Sequence, residues 1–455
     1  MAPLFSFLKR LLAEVARLFS QYSKRFLLSM MHTSARSPIA SSRTPYRVLV
    51  AGGSYAGLSA TLNLLDLCHG NPTRFSAARS PEVATSSNER LPVQITIVDE
   101  RDGYYHLIGA PLVFASQDYA LKAWKKFQDI PALQTPEVKC VQGRVIAVDP
   151  ESKTATVLEA ATNNEVEEKY DYFVAATGLS RSWPSAPQSL TREEYLLETR
   201  KHIKLLENAR EKIVIIGGGA VGVEMAAELK LAQPDKCVTL IHSRPKLLSS
   251  EPLPDDYRDN VFSLLQESGV ETIMNSRVQE IAPEMRSGFA PSTTLKLEDG
   301  RTIKVSHVVS AISRYRPTSS YLPSEAVNED GYVKITPRLN LATNIANAKY
   351  HFAAGDIALW SGIKRAGAAM HQGHYAAINI YQQICSDLFA KTPKFVELDQ
   401  APPVICIAIG KQAASWSEED GTLSGTDVLN LYFNDDLGYN ICWNYMKLGE
   451  PPITE

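Results

Sequence analysis

"KIVIIGGGAVGVEMAAELK", residues 212–230, is an apolar run that ends in a cluster of glycines and restarts as a helix-forming run. An earlier stretch, "YRVLVAGGSYAGLSATLNLLDL" at 46–67, has the same grammar. A strand that closes in a tight glycine turn and reopens as a helix leaves backbone N–H groups free at the helix N-terminus. Together with the helix dipole, those groups attract a pyrophosphate. In the later stretch Gly217, Gly219 and Gly222 fill the pattern, between a strand at 212–216 and a helix at 220–231. In the earlier one Gly52, Ser54 and Gly57 do so, with Gly53, Tyr55 and Ala56 between them. Serine replaces the middle glycine there, which tightens but does not close the approach of a phosphate.

The next strand of each unit says which nucleotide is read. After Gly222, "CVTLIHS" reaches His242 in 20 residues, the spacing of the residue that meets the ribose. An acid there would bond the 2′-OH of NADH. His242 and Arg244 repel no 2′-phosphate, and Arg244 can bind one, so the donor expected is NADPH or NADH with a lean to NADPH. The competing reading of Arg244 is a solvated loop residue. In the first unit "VQITIVDE" places Asp99 at the matching position, which suits the free 2′-OH of an adenosine ribose, as in FAD. The gap from Gly57 is 42 residues, and the excess, "CHGNPTRFSAARSPEVATSSNERLP" at 68–92, reads as a surface insertion. One G-x-G-x-x-G is weak evidence. Two of them, each strand, turn, helix, strand, predict an α/β chain with two Rossmann-like dinucleotide-binding domains.

The joints extend the pattern. "YDYFVAATGLSRSWP" at 170–184 is a buried strand that ends at Thr177 and Gly178. Residues 342–380 hold a strand, then Gly355 and Asp356, then a helix of small residues. Gly355 lets the backbone approach a ligand, and Asp356 can bond the polyol of a flavin. Lys364, near the helix start, can stabilise negative charge on a reduced flavin ring.

The order of glycine cradle, Ala-Thr-Gly strand, second cradle and "FAAGD" resembles the two-dinucleotide-binding flavoprotein oxidoreductases, with a glutathione-reductase-like architecture. Within them the chain resembles the AMID, ferroptosis-suppressor-like branch of the apoptosis-inducing-factor-like proteins; type II NADH dehydrogenases are more distant. The matching stretches are "GAVGVEMAAELK" with "VTLIHS", "QGRVIAVD" at 142–149, "AAGD" at 353–356 and "CWNYMKLGEPP" at 442–452. The resemblance implies FAD contacts at Gly52 to Gly57, Val145 and Asp356. It implies an acid beside the nicotinamide at Glu224 and a flavin-side base at Lys364. The bland alternatives are a dipole-pairing acid for Glu224 and a solvated helix start for Lys364. Ser313 stands where the family often has glycine, and Phe433 where a lysine is usual. The implied organisation is an FAD-binding domain that opens at 46–178 and resumes at 315–390. An NAD(P)H domain at 179–314 lies between its two halves, and a small α+β segment at 391–455 follows. In that last segment "PPVICIAIG" and "TDVLNLYF" read as strands, and in relatives it covers the flavin face or builds a homodimer contact.

The chain has 455 residues with 44% hydrophobic and 21% charged, the balance of a soluble globular enzyme. A formal net charge of −3 gives no whole-protein attraction to nucleic acid. Residues 1–45 differ: seven Lys or Arg stand against Glu14 alone, with Leu4, Leu8, Leu11, Val15, Leu18, Tyr22 and Phe26 on one helical face. Such a basic amphipathic leader resembles a mitochondrial presequence. It also suits a helix lying on a membrane, including the cytoplasmic face of one, or an ordinary packed helix. Ala2 excludes N-myristoylation.

The six cysteines lie at no metal-ligand or redox-pair spacing. Disulfide reductases carry a cysteine pair soon after the first ribose acid. Here that stretch is "ERDGYYHLIGAPLVFAS", without cysteine. Tyr104, Tyr105 and His106 can line a flat pocket for an aromatic acceptor, or simply pack a loop. No metal site is expected. The activity expected is hydride transfer from NAD(P)H to FAD, then electron transfer to a quinone-type or other small aromatic acceptor. The alternatives are a slow, redox-regulated signalling flavoprotein and a flavin oxidoreductase of secondary metabolism.

Overall fold

The computed structural model describes residues 44–74, 90–284, 292–312 and 315–452. The leader, most of the insertion and Ser313 therefore lie outside the described residues. In chain order, β1 (Tyr46–Ala51) leads through the first glycine turn into α1 (Tyr55–Cys68), followed by β2 (Val93–Asp99), β3 (Val138–Asp149), β4 (Thr154–Glu159), β5 (Glu165–Lys169) and β6 (Tyr172–Ala175). Helix α2 (Arg192–Glu207) links to β7 (Lys212–Ile216), α3 (Ala220–Ala232), β8 (Val238–Ile241), α4 (Asp255–Glu267), β9 (Glu271–Ile273), β10 (Val278–Glu284), β11 (Ser292–Leu297) and β12 (Thr302–Ser310). The chain continues through β13 (His351–Ala353) and α5 (Ala366–Phe389) to β14 (Ile405–Ile409), β15 (Gln412–Ser417), β16 (Gly421–Gly425), α6 (Thr426–Tyr432) and α7 (Tyr439–Tyr445).

The first sheet has the order β13-β6-β1-β2-β3-β4-β5 and the second β9-β8-β7-β12-β11-β10. Both are built alike. Parallel strands surround the one that carries the glycine turn, and an antiparallel meander extends one side. These are two Rossmann-like units, and the first takes in β13 only after the second is complete. Strands buried on both faces read as continuous apolar runs rather than alternating ones. That explains "KIVII", whose last four residues are all buried.

Helix α1 is buried along its whole length. It packs on α5, which carries sixteen buried residues and enough small ones for close approach. A third, three-stranded antiparallel sheet, β14-β15-β16, belongs to the C-terminal segment. Its Ile405, Ile407, Ile409 and Ala414 share one hydrophobic cluster with Val223, Met225 and Leu229 of α3. The C-terminal sheet is thus an extension of the second unit's core.

Three local expectations are corrected. "TDVLNLYF" forms helix α6, not a strand. Its β-branched and aromatic content favours a strand, but Asp427 in the first turn favours a helix start. Val428, Leu429 and Phe433, at helical spacing, pack on Ala408 and Ala413. The insertion does not begin at residue 68, since Cys68 is the last residue of α1 and is fully buried. Nor are the next residues all surface: Arg74, 6% exposed, donates to Asp66 Oδ2 at 2.9 Å and to the Lys447 carbonyl at 2.8 Å.

Candidate active site

Both glycine turns open into one cleft of about 1830 Å³. In the first turn Gly52 has φ +106°, and a Cβ there would lie 2.4 Å from the Ala176 carbonyl oxygen. A Cβ on Gly57 would lie 1.8 Å from the Gly52 oxygen. Gly57 therefore presses the helix onto its own turn rather than touching the cleft. Gly217, with φ +117°, and Gly222, whose Cβ would lie 1.9 Å from the Gly217 oxygen, repeat this division of labour. Gly57 and Gly222 are packing residues; Gly52, Gly53, Ser54, Tyr55, Ala56, Gly217 and Gly219 line the cleft. Neither Ser54 nor Gly219 caps its helix through a side chain, so the first-turn amides stay free for a ligand.

The two residues expected to read the ribose hold equivalent places in their turns. Asp99 Oδ2 accepts the Gly53 N–H at 2.7 Å. His242 Nδ1 accepts the equivalent Gly218 N–H at 3.1 Å. Accepting at Nδ1 leaves the proton of the neutral ring on Nε2, which lies 3.2 Å from Ser249 Oγ. Arg244 Nη1 donates to the same hydroxyl at 3.2 Å. His242 thus does the structural work of the acid without its charge. No sequence signal marks Ser249, because only the loop geometry joins it to the two basic residues. Burial pushes the Asp99 carboxyl up, opposed by Arg101 and by the amides of Gly53 and Arg101.

At the joint, Thr177 Oγ1 donates to the Thr318 carbonyl at 3.0 Å and lies 3.1 Å from the Tyr321 hydroxyl. The Gly178 carbonyl accepts from Thr318, so this corner ties β6 to the returning chain. Val145, Thr177, Gly178, Gly355 and Asp356 all face the cleft. The Gly355 N–H is held by Gln372 Oε1 at 2.7 Å. Asp356 is not free: Arg181 Nη2 sits 2.8 Å from its Oδ2, and the guanidinium stacks over Tyr315 at 4.6 Å. Sequence reasoning misses Arg181, which lies 175 residues from its partner.

Lys364 lines the cleft two residues before α5 begins. Its Nζ donates to the Ala358 carbonyl and lies 5.3 Å from the Tyr332 ring centre. Burial lowers its pKa, and Asp356 opposes the shift. Glu224, one turn into α3, accepts the Ala408 N–H at Oε1 at 3.1 Å. Burial pushes its carboxyl up to about 8, with Glu228 adding to the rise.

The flat aromatic pocket expected at residues 104–106 does not form as such. Tyr105 reaches the cleft, but Tyr104 and His106 are 0% exposed. His106 Nε2 lies 2.9 Å from the Leu437 carbonyl, which can only accept, so Nδ1 is left as the acceptor for Tyr55 and Tyr104, each 3.1 Å away. Burial lowers the imidazole to about 4, so the node stays neutral. Apolar and aromatic lining comes instead from the C-terminal segment: Val404, Ile405, Leu431, Tyr432, Phe433 and Ile441. Phe433, where the family usually has lysine, is 8% exposed and packs against Ala408, Ala413 and Leu437. Cys406 and Cys442 also border the cleft, but burial pushes both thiols up, Cys442 to about 12, away from the reactive thiolate.

Two cradles with free helix amides, a ribose acid on one and an uncharged reader on the other, fit FAD and a pyridine nucleotide held in one cleft. That defines a class, the flavin-dependent NAD(P)H oxidoreductases. The family model for pyridine nucleotide-disulphide oxidoreductases matches residues 46–373, and the chain belongs to that family. The chain is 54% identical over 444 residues to Oxidoreductase OXR1 of Ajellomyces capsulatus, covering 97% of this chain and 96% of that protein. It is 27% identical over 319 residues to ferroptosis suppressor protein 1 of Taeniopygia guttata, covering 69% and 80%. These relatives agree with the AMID-like branch. Among solved structures, an NAD-dependent persulfide reductase from A. fulgidus shares the fold with a TM-score of 0.57 at 19% identity. The match covers 82% of this chain and 64% of that one, so the chain spans under two thirds of that enzyme.

Proposed function

We propose that this enzyme passes electrons from NAD(P)H, with NADPH preferred, to a quinone-type or other small aromatic acceptor. The observation that carries the reading is the shared cleft. Two nucleotide cradles open into it, its remaining wall is largely apolar and aromatic, and burial pushes up both thiols that border it, Cys406 and Cys442, away from disulfide chemistry. Bound in the first cradle, FAD supplies a group that takes hydride from a nicotinamide and releases electrons singly or in pairs.

The chain's own residues bind and orient. The α1 and α3 amides hold the two pyrophosphates, and Asp99 meets the adenosine ribose. Asp356 bonds the flavin polyol once Arg181 shares or yields it. Lys364 and the uncapped start of α5 place positive potential on the flavin side. Glu224, protonated at neutral pH, offers an uncharged hydrogen-bond donor beside the nicotinamide. We further propose that the basic leader brings the enzyme to a mitochondrial or other membrane, where quinones reside.

The test is purification with the native chromophore, anaerobic titration with NADH and NADPH, then turnover with a panel of soluble quinones. Fast flavin reduction and quinone-dependent turnover are expected. A colourless protein that takes up no flavin overturns the reading. Slow reduction with a long-lived charge-transfer band favours the signalling alternative.

A further inference from the structure

The turn between α6 and α7, "FNDDLG" at 433–438, is held in a strained shape. Asn434, Leu437 and Gly438 all have positive φ, +51°, +47° and +78°. Asparagine and glycine tolerate that region. A leucine does so only where its surroundings fix it. Leu437 is also 3% exposed, so its carbonyl needs a partner within the protein.

The surroundings that fix it come from the excursion of the chain between β2 and β3. His106 Nε2 donates to the Leu437 carbonyl at 2.9 Å, and the Tyr119 hydroxyl donates to the Asp436 carbonyl at 2.7 Å. Lys122 Nζ pairs with Asp436 Oδ2 at 2.6 Å. Asp436 is 4% exposed, and its Oδ2 also faces the Asn440 N–H in the first turn of α7 at 3.3 Å. Three side chains thus hold two successive carbonyls and one carboxylate of a single turn.

This dock has a second end. His106 Nδ1 accepts from Tyr55, which opens α1 at the first glycine turn and lines the cleft. On the far side Leu431, Tyr432 and Phe433 lead into the docked turn, Ile441 and Cys442 follow it, and all five line the cleft. We propose that His106 is a positioning residue for the acceptor side of the cleft: through Tyr55 it grips the first cradle, through Leu437 it grips the C-terminal turn, and it thereby sets how far the apolar lining stands from the flavin seat. This rests on the reading of that lining as the acceptor wall. A neutral imidazole suits the task, because one nitrogen donates while the other accepts. Burial keeps the ring neutral, and Tyr439 packs edge-on against it with ring centres 5.4 Å apart.

The experiment uses full-length, flavin-loaded protein with three readouts: hydrogen exchange of the peptide 429–442, anaerobic flavin reduction by NADPH, and KM for a soluble quinone. His106→Phe fills the space without either bond. Exchange should rise about tenfold and KM about fivefold, the scale of one lost buried hydrogen bond, while flavin reduction stays within about twofold. His106→Gln sets an amide N–H where Nε2 stood and should restore the turn and the KM. Tyr119→Phe, which removes only the donor to Asp436, takes the place of the Phe variant if that one fails to fold. Unchanged exchange, a Gln variant as impaired as the Phe variant, or flavin reduction slowed as much as the quinone step each overturns the proposal. If the wild-type protein turns over no quinone, the acceptor reading fails by itself, and the exchange data still decide whether His106 docks the turn.

Discussion

His242→Asp makes the second cradle a copy of the first. Asp99 already accepts the Gly53 N–H at 2.7 Å, and His242 accepts the equivalent Gly218 N–H at 3.1 Å. A carboxylate therefore fits the same bond, and the substitution changes charge rather than fold. It places a negative charge about one ribose edge from the 2′ position. At ~5 Å and an effective dielectric of about 40, one unit of phosphate charge is repelled by ~1.7 kcal/mol. That alone is worth roughly fifteenfold to twentyfold against NADPH. A carboxylate also accepts from the 2′-OH of NADH, worth about 1 kcal/mol. The NADPH:NADH ratio of kcat/KM should fall by about two orders of magnitude. Anaerobic stopped-flow reduction of the flavin by each nucleotide measures it, and binding of 2′,5′-ADP against 5′-AMP reports it without turnover. An unchanged ratio, or equal losses with both nucleotides, refutes the role given to His242.

Arg244→Ala should weaken NADPH alone, by roughly fivefold, because this exposed guanidinium has water as an alternative partner. Equal effects on NADH would make it a mere loop residue. Lys364→Met should lower the flavin midpoint potential by on the order of 30 mV through lost stabilisation of the reduced anion, read by dye-coupled redox titration. A potential unmoved within error removes that role. Gly222→Ala puts a methyl 1.9 Å from the Gly217 oxygen and should destabilise by about 1–3 kcal/mol, seen as a lower Tm in flavin-loaded protein. A fully stable Ala variant would mean that α3 packs otherwise.

Glu224 and Glu228 have folded pKa values, about 8 and about 7, above the ordinary carboxylate value. Their stabilisation is full below about pH 4.3, declines as pH rises, and is gone above about pH 8. Tm should fall between about pH 4.5 and 8, and the double Gln variant should flatten that slope. A slope that persists in the double variant excludes these carboxyls as its source.

The cradles are legible in the sequence because their logic is local: Gly52 and Gly57, or Gly217, Gly219 and Gly222, within one turn, a strand before and a helix after. The positions of the two expected ribose readers are legible as well: His242 by counting 20 residues from Gly222, Asp99 by its place at the end of the next strand. What escapes depends on distance along the chain. Arg181 meets Asp356, and Ala408 meets Glu224, across more than 170 residues, and no spacing rule links such positions. Tyr104 and His106 stand out as a group, but their surroundings do not. Aromatic rings with polar tips suit a pocket or a buried node equally well, and the deciding partner, the Leu437 carbonyl, is 331 residues from His106. The helix at 426–432 defies its strand-like composition because packing against Ala408 and Ala413 overrides local preference.

The late arrival of β13 constrains how the enzyme is made. The nicotinamide-side sheet draws every strand from one stretch, residues 212–310, and can close while the rest of the chain is still on the ribosome. The flavin-side sheet cannot, because His351–Ala353 must still dock beside Tyr172–Ala175, and α5 must then cover α1. Biosynthesis therefore supplies every strand of the guest's sheet before the last strand of the resident's. A chain truncated near residue 330 would keep that sheet but lack both β13 and the C-terminal strands that pack on α3, and should take up no yellow colour.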